Sequence, residues 1–393
     1  MRIVAVLETT LKAGGAHNQS LNALFQMKRI CEGQFDLQVI AFDKQTVEVL
    51  IDKGFDGVLV QFSLLDKIKV RILNSFFGKY ILSAKTLFTF EKKLISCQTD
   101  LVYFTGPSLW ATHLKKTNYI FTLFDLAHRD FPEFPEVSAL GEFQKRDALY
   151  FSTISNSYIT LTDSKELSNN AGKFYGVNPG RLLHMPYGPS PDLERNSTTV
   201  TEVIQFYKLP EVYFFYPAQF WPHKNHIRVL EALSVLNNQG KHYHVVFSGG
   251  DKGNIQHILN CAVELSVDSQ VHTLGLVPSE HIKGLYQGSC ALVMPTYFGP
   301  TNLPPLESWS LGVPVIYSSH LAGEAGGAAL LIDPDNAESL AEAMETVLDP
   351  DVRKDLVSRG YLRLKAVEDE RVKCEHELLE RLIKFKNRRK CWA

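Results

Sequence analysis

The sequence predicts an α/β chain built from two doubly wound parallel-sheet domains, and three observations carry that prediction. Short apolar runs rich in β-branched and aromatic residues recur along the chain, segments of helical periodicity separate them, and a polar stretch without apolar period divides the runs into two sets. The first set reads RIVAVLE, LQVIAF, GVLVQF, LVYFTG, YIFTLFD, YITLTDS and LLHMPYG; the second reads VYFFYPAQ, HYHVVFSGG, VHTLGLV, CALVMPT, VPVIYSS and ALLIDP. Strands that are apolar nearly throughout suit a sheet covered by helices on both faces. The divider, GPSPDLERNSTTVTE, lies near Gly188 to Thr201 and marks a linker. Expected domains are therefore 1–190 and 191–372. Residues 373–393 form a terminal helix with a basic finish at Lys384 to Lys390, expected to pack back toward the first domain.

Bulk properties bound the function. A chain of 393 residues is long enough for about two domains, each with its own core. With 41 Lys plus Arg against 43 Asp plus Glu, no global field draws in nucleic acid, so an anion site has to be built locally. The six cysteines are scattered, with no CxxC pair, which suits a reducing compartment. The amino terminus reads as strand and loop because Glu8 interrupts its short apolar stretch, and no run approaches the roughly 20 apolar residues of a membrane span. A cytoplasmic location is expected, with peripheral contact at the inner membrane as one reading of Lys67 to Phe88. That segment mixes Lys67, Lys69, Arg71, Lys79 and Lys85 with apolar residues; its other reading is a core helix with a solvated basic face.

In parallel sheets ligands bind beyond the carboxyl ends of the strands, so the loops there are the places to look for chemistry. After RIVAVLE, Gly14 and Gly15 precede a helix; they serve either a plain turn or a backbone that approaches a phosphate. After VYFFYPAQ, Lys224 and Asn225 precede a helix starting near His226. A lysine there opposes the helix dipole unless an anion shares the site, which makes Lys224 a diphosphate candidate, its other reading being a solvated side chain. After CALVMPT, Asn302 is a candidate N-cap and Leu303 starts a helix with Pro304 and Pro305 in its first turn, ended by Gly312 and Pro314. Glu307 falls one turn in, among packed neighbours. It either complements the helix dipole or, as a partly buried carboxylate, needs hydroxyl or N–H partners such as paired ribose hydroxyls. Asp333-Pro334-Asp335 has the form of a metal-binding Asp-x-Asp, but it follows a strand and precedes a helix, so Asp335 or Asn336 is expected to cap that helix.

The stretches PTYFGPTNLPPLESWSLGVPVI, YPAQFWPHKNH and GLVPSEHIKGLYQGSCALVMP resemble the donor domain of the family 4 retaining glycosyltransferases of GT-B fold, in which two Rossmann-like domains face a central cleft. FDLAHRDFPEFPEVS with FYGVNPGRLLHMPYGPS resembles a bacterial mannosyltransferase-like branch of that family. By this resemblance Glu307 matches the second glutamate of the E-x7-E motif, which holds the ribose, while the first is replaced by Gly299. The donor sugar is then left to main-chain groups near Thr301, Asn302 and Leu303. Lys224 matches the lysine on the diphosphate, Gln219 stands at the position of the usual arginine, Gly15 matches the phosphate loop, and Leu276 and Val277 match the segment that meets the base. The His-Asp pair of the family appears as Phe124-Asp125; His128 and Arg129 follow on the same loop, either to meet sugar and phosphate or to tie the loop to itself.

The resemblance implies retaining transfer of a hexose, mannose first, from GDP-mannose or a UDP-hexose to a hydroxyl of a bacterial surface glycan or lipid-linked oligosaccharide. Lys224 would stabilise the leaving diphosphate, and no metal or other bound cofactor is expected. Two alternatives remain: a GT-B sugar-nucleotide epimerase, and an inactive transferase-like scaffold, the latter because of Gly299 and Gln219.

Overall fold

The computed structural model describes residues 1–10, 15–61, 89–193, 198–299 and 303–392. The segment from Lys67 to Phe88 lies outside the described residues, so neither reading of it is decided. Two compact units form. Unit 1 comprises Met1–Leu126, Gln144–Met185 and Val372–Ala393; unit 2 comprises Ala127–Phe143 and Pro186–Arg371. The sequence boundaries of 1–190 and 191–372 miss that the segment Ala127–Phe143 packs with unit 2, although strands of unit 1 precede and follow it. They also miss that one helix, Pro350–Arg389, is divided between the units at Arg371.

Each apolar run named above contains a strand. In unit 1 these are β1 (Arg2–Leu7), β2 (Asp36–Ala41), β3 (Gly57–Leu59), β4 (Leu101–Phe104), β5 (Asn118–Leu123), β6 (Ile159–Thr162) and β7 (Leu182–His184). They pair in the order β3-β2-β1-β4-β5-β6-β7, and every pairing is parallel. Unit 2 contains β8 (Tyr213–Pro217), β9 (His244–Ser248), β10 (Val271–Thr273), β11 (Leu292–Met294), β12 (Val315–Ser318) and β13 (Leu330–Ile332), in the parallel order β10-β9-β8-β11-β12-β13. Strands such as Ile3-Val4-Ala5 and Tyr213-Phe214-Phe215-Tyr216 are wholly buried, as burial on both faces demands.

Local chemistry sets the helix limits. Thr199 and Glu202 form a reciprocal capping box at the helix Val200–Tyr207, where the linker ends. Asn336, one of the two residues expected to cap Ala337–Thr346, does so through Ser339 N–H at 2.8 Å. Gly312, at φ 68°, closes Leu303–Ser310 with paired bonds from Val313 N–H to the Ser308 carbonyl and from its own N–H to that of Trp309.

Both sheets reverse strand order once: between β1 and β4 in unit 1, and between β8 and β11 in unit 2. The connections leaving such neighbouring strands run in opposite directions and open a crevice at their carboxyl ends.

Candidate functional site

In unit 2 the crevice is bounded by the connection Ala218–Asn225, after β8, and by the run from Pro295, after β11. Asn225 takes a left-handed conformation, φ 55°, which asparagine tolerates better than most residues. Its amide donates to the carbonyls of Pro295 at 3.1 Å and Pro334 at 2.8 Å, tying together the connections after β8, β11 and β13. Asn225, a donor-binding candidate beside Lys224, thus commits its amide N–H groups to holding three loops together.

His223 is locked more tightly still. Its carbonyl accepts Tyr297 N–H at 2.9 Å, and its ring stacks on Phe298 with centroids 3.8 Å apart. The Glu136 carboxylate accepts the backbone N–H of His223 at 3.0 Å and ring Nδ1 at 2.6 Å, so Nδ1 carries a proton. Burial pushes the Glu136 carboxyl up, but the bonds from His223 and from backbone N–H groups outweigh it, and the net shift is downward. Around this pair Phe131, Phe134 and Val137 pack with Tyr297 and Phe298. His223 and Glu136 were not singled out from the sequence. A carboxylate and a histidine so far apart in the chain offer no local signal.

Lys224 sits between these two fixed residues. Its carbonyl accepts the Tyr216 hydroxyl at 2.8 Å and its N–H bonds the Trp221 carbonyl at 3.1 Å, so its backbone is held while its side chain stays half-exposed. The next residue but one, His226, opens the helix His226–Asn238. Its ring stacks on Tyr216, and burial, helped by the charges of Lys224 and His223, pushes its pKa down to about 3. His226 is therefore neutral, and the helix terminus presents its dipole beside the Lys224 side chain, an arrangement that favours an anion.

Gln219 accepts the Trp221 indole N–H at 3.1 Å, and the Lys252 ammonium lies 5.6 Å from the centre of the Trp221 ring. Lys252 is a cation the sequence reading did not name. Its loop reaches Gln219 because Gly249 has no side chain: a Cβ there would lie 2.2 Å from the Ala218 carbonyl oxygen. Leu276, 60% exposed, lies over the neighbouring Gly250, and half-buried Val277 follows it.

Leu303 begins its helix as expected, with Thr301 and Asn302 outside the described residues. Pro304 and Pro305 remove two of the first N–H groups, so this terminus has fewer donors for a ligand than an ordinary helix start. Gly299 has φ 127°, a conformation that side chains rarely adopt, which explains glycine where the resembling family has glutamate. Glu307 is 6% exposed and accepts the Tyr286 hydroxyl at 2.9 Å. Burial raises its pKa to about 7, with the Tyr286 bond opposing.

Of the remaining candidates, His128 and Arg129 lie on the short helix Ala127–Asp130. His128 is 0% exposed with its ring edge-on to Phe143, so it is not presented to a ligand as the sequence reading allowed; Arg129 is half-buried. In unit 1, Asp125 pairs with Arg146 at 3.0 Å. Phe124 lies over Gly106, where a Cβ would come within 2.8 Å of the ring, so a histidine is replaced by a packed aromatic. Gly15 opens the helix Gly15–Cys31 and is exposed, with nothing within 4 Å of a Cβ placed there; Gly14 is outside the described residues.

The unit 1 crevice holds residues that went unnamed as candidates. Glu8 ends β1's run and accepts the Ser108 hydroxyl; burial, with that bond opposing, pushes its carboxyl up to about 7. Its Oε1 and the Oγ of Ser20, a residue 1% exposed, are buried without hydrogen-bond partners among the described residues.

Residues 211–350 match the family model described as glycosyl transferases group 1. O-antigen chain mannosyltransferase B of Escherichia coli is 24% identical over 272 residues, 68% of this chain and 70% of that protein. O-antigen chain mannosyltransferase RfbU of Salmonella typhimurium is 24% identical over 283 residues, 71% and 72% of the two chains. Among solved structures, Anabaena HepE in complex with UDP and glucose superposes with a TM-score of 0.71 at 14% identity, covering 98% of this chain and 100% of that one. WaaG, a glycosyltransferase involved in lipopolysaccharide biosynthesis, gives 0.66 at 14% identity, covering 97% and 99%. Residues 211–350 thus match a glycosyl transferases group 1 domain, in a chain whose two parallel-sheet units share the GT-B fold.

Proposed function

We propose that this protein is a retaining glycosyltransferase that moves a hexose, mannose first, from a nucleoside diphosphate sugar to a hydroxyl of a bacterial surface glycan or lipid-linked oligosaccharide. The observation that carries the reading is Lys224, held by its backbone beside a helix terminus at the unit 2 strand reversal. GDP-mannose is the first donor and UDP-hexoses the next. The similarity to O-antigen mannosyltransferases supports the sugar and acceptor class.

In the transfer the bond from the anomeric carbon to the donor phosphate oxygen breaks, and the acceptor hydroxyl oxygen bonds that carbon on the same face. The acceptor proton passes to the departing phosphate oxygen. Lys224 and the amino end of His226–Asn238 stabilise the charge that grows on the diphosphate. Glu307 accepts ribose hydroxyls beside Tyr286, and the backbone at Leu276 and Val277 meets the base. Glu8 and Ser20 in unit 1 have hydrogen-bonding atoms unused among the described residues and suited to a neutral, hydroxyl-rich acceptor.

The test is incubation with GDP-mannose and UDP-hexoses, with and without lipid-linked oligosaccharide, while following nucleoside diphosphate release. Release that depends on acceptor is expected. Release with an altered free sugar and no acceptor dependence would replace the reading with epimerisation, and no release from any donor would replace it with a scaffold.

A further inference from the structure

In unit 2 the strand order β10-β9-β8 places a third connection, residues 249–254 after β9, between the segment of Leu276 and Val277 and the loop that carries Lys224. It is fixed on both sides. Gly249 N–H donates to the Gly275 carbonyl at 2.8 Å and Leu276 lies over Gly250, while Phe220 N–H donates to the Gly250 carbonyl at 3.1 Å. The three connections therefore stand side by side at the carboxyl ends of their strands, spanning two strand spacings, about 10 Å.

The middle connection carries Lys252, an exposed residue that forms no ion pair among the described residues. The adjacent carboxylate does not claim it. Asp251 accepts the N–H groups of Gly253 at 2.8 Å, Asn254 at 3.2 Å and Ile255 at 3.2 Å, so it is turned onto its own loop and the helix Ile255–Glu264. A lysine on such a turn is free to extend into water, yet the Lys252 ammonium lies 5.6 Å from the centre of the Trp221 ring, drawn back over the β8 connection. Trp221 is held in turn by its indole bond to Gln219, a side chain without charge. An exposed contact of a cation with an aromatic face is weak, and a phosphate, which offers charge-assisted hydrogen bonds to the same ammonium, replaces it readily.

We propose that Lys252 is a second phosphate-binding cation, which takes the phosphate next to the nucleoside while Lys224 takes the outer one. This rests on the donor reading above, because the order of the loops assigns the two phosphates only with the base at Leu276 and Val277. Calorimetric titration of the full-length protein with GDP and UDP identifies the base that binds, and the mono- and diphosphate of that base are then titrated into the variants. Lys252→Met should weaken both nucleotides by roughly tenfold, since both carry the phosphate it meets. Lys224→Ala should weaken the diphosphate alone. Lys252→Arg keeps the charge and should recover most of the affinity lost in Lys252→Met. Unfolding temperatures should match that of the parent, because Lys252 is exposed. Parental affinity in Lys252→Met, a loss confined to the diphosphate, or equal losses in Lys252→Met and Lys252→Arg would overturn the assignment and leave the donor reading standing. A parent that binds neither GDP nor UDP would overturn both.

Discussion

At the strand reversal of unit 2 stand Lys224, a neutral His226 and a helix terminus; at that of unit 1 stand Glu8, Ser20 and the ring of Phe124 over Gly106. The backbone logic is the same in both, since two neighbouring parallel strands send their connections apart. The side chains differ in sign and in rigidity. Unit 2 offers positive potential on a loop held by Glu136, Asn225 and Tyr216, which suits a diphosphate. Unit 1 offers buried acceptor and hydroxyl groups, which suit neutral hydroxyls.

Lys224→Ala tests that contrast most severely. Turnover should fall about 10²- to 10³-fold, the loss seen when one group stabilising transition-state charge is removed, while denaturation midpoints stay put. Near-parental rates would take Lys224 out of the site. Next comes the lock itself: Glu136→Ala leaves His223 without its carboxylate and should cost about 3 kcal/mol in urea unfolding. Because the Glu136 pKa is depressed on folding, its contribution is present above the ordinary carboxylate value of 4.5 and is lost as pH falls through the lower folded value. Glu136→Gln should flatten that acid limb of the stability profile; an unchanged limb would mean the pair does not form.

A smaller effect is expected at Glu307. Its folded pKa of about 7 lies above 4.5, so its contribution to stability is present below 4.5 and lost as pH rises through about 7. Ribose binding needs the carboxylate, so nucleoside diphosphate affinity should weaken as pH drops through about 7. Glu307→Gln should bind roughly tenfold more weakly at alkaline pH, with no such pH dependence, in calorimetric titrations. Smallest is Gly106→Ala, where a methyl crowds the side-chain ring of Phe124, with the Ser20 hydroxyl at ordinary contact distance, and thermal melts should show a loss of about 1 kcal/mol. The same change at Gly249 meets backbone and should cost more; equal costs would remove the distinction in rigidity.

How far the sequence could be read followed from the range of each signal. Apolar runs, the capping residue Asn336 and the stop at Gly312 act within a few residues, so strands and helix ends were legible. Glu307 was legible as a buried carboxylate needing a hydroxyl because its own helix places it among packed neighbours, although the hydroxyl found is that of Tyr286. His223 with Glu136, Lys252 over Trp221, and Glu8 beside Ser108 were not legible, since each joins segments that only the folded sheets bring together.

By itself the sequence determined two parallel sheets, the loops at their carboxyl ends, and Lys224 ahead of a helix, because periodicity and turn chemistry are local. Tertiary structure alone decided that the Asn225 amide ties three loops, that His128 is buried, that the segment Ala127–Phe143 belongs to unit 2, and that Arg181 meets Arg381 around one cavity. Those outcomes depend on which distant groups compete for the same hydrogen bond or the same space, and one-dimensional spacing carries no record of that competition.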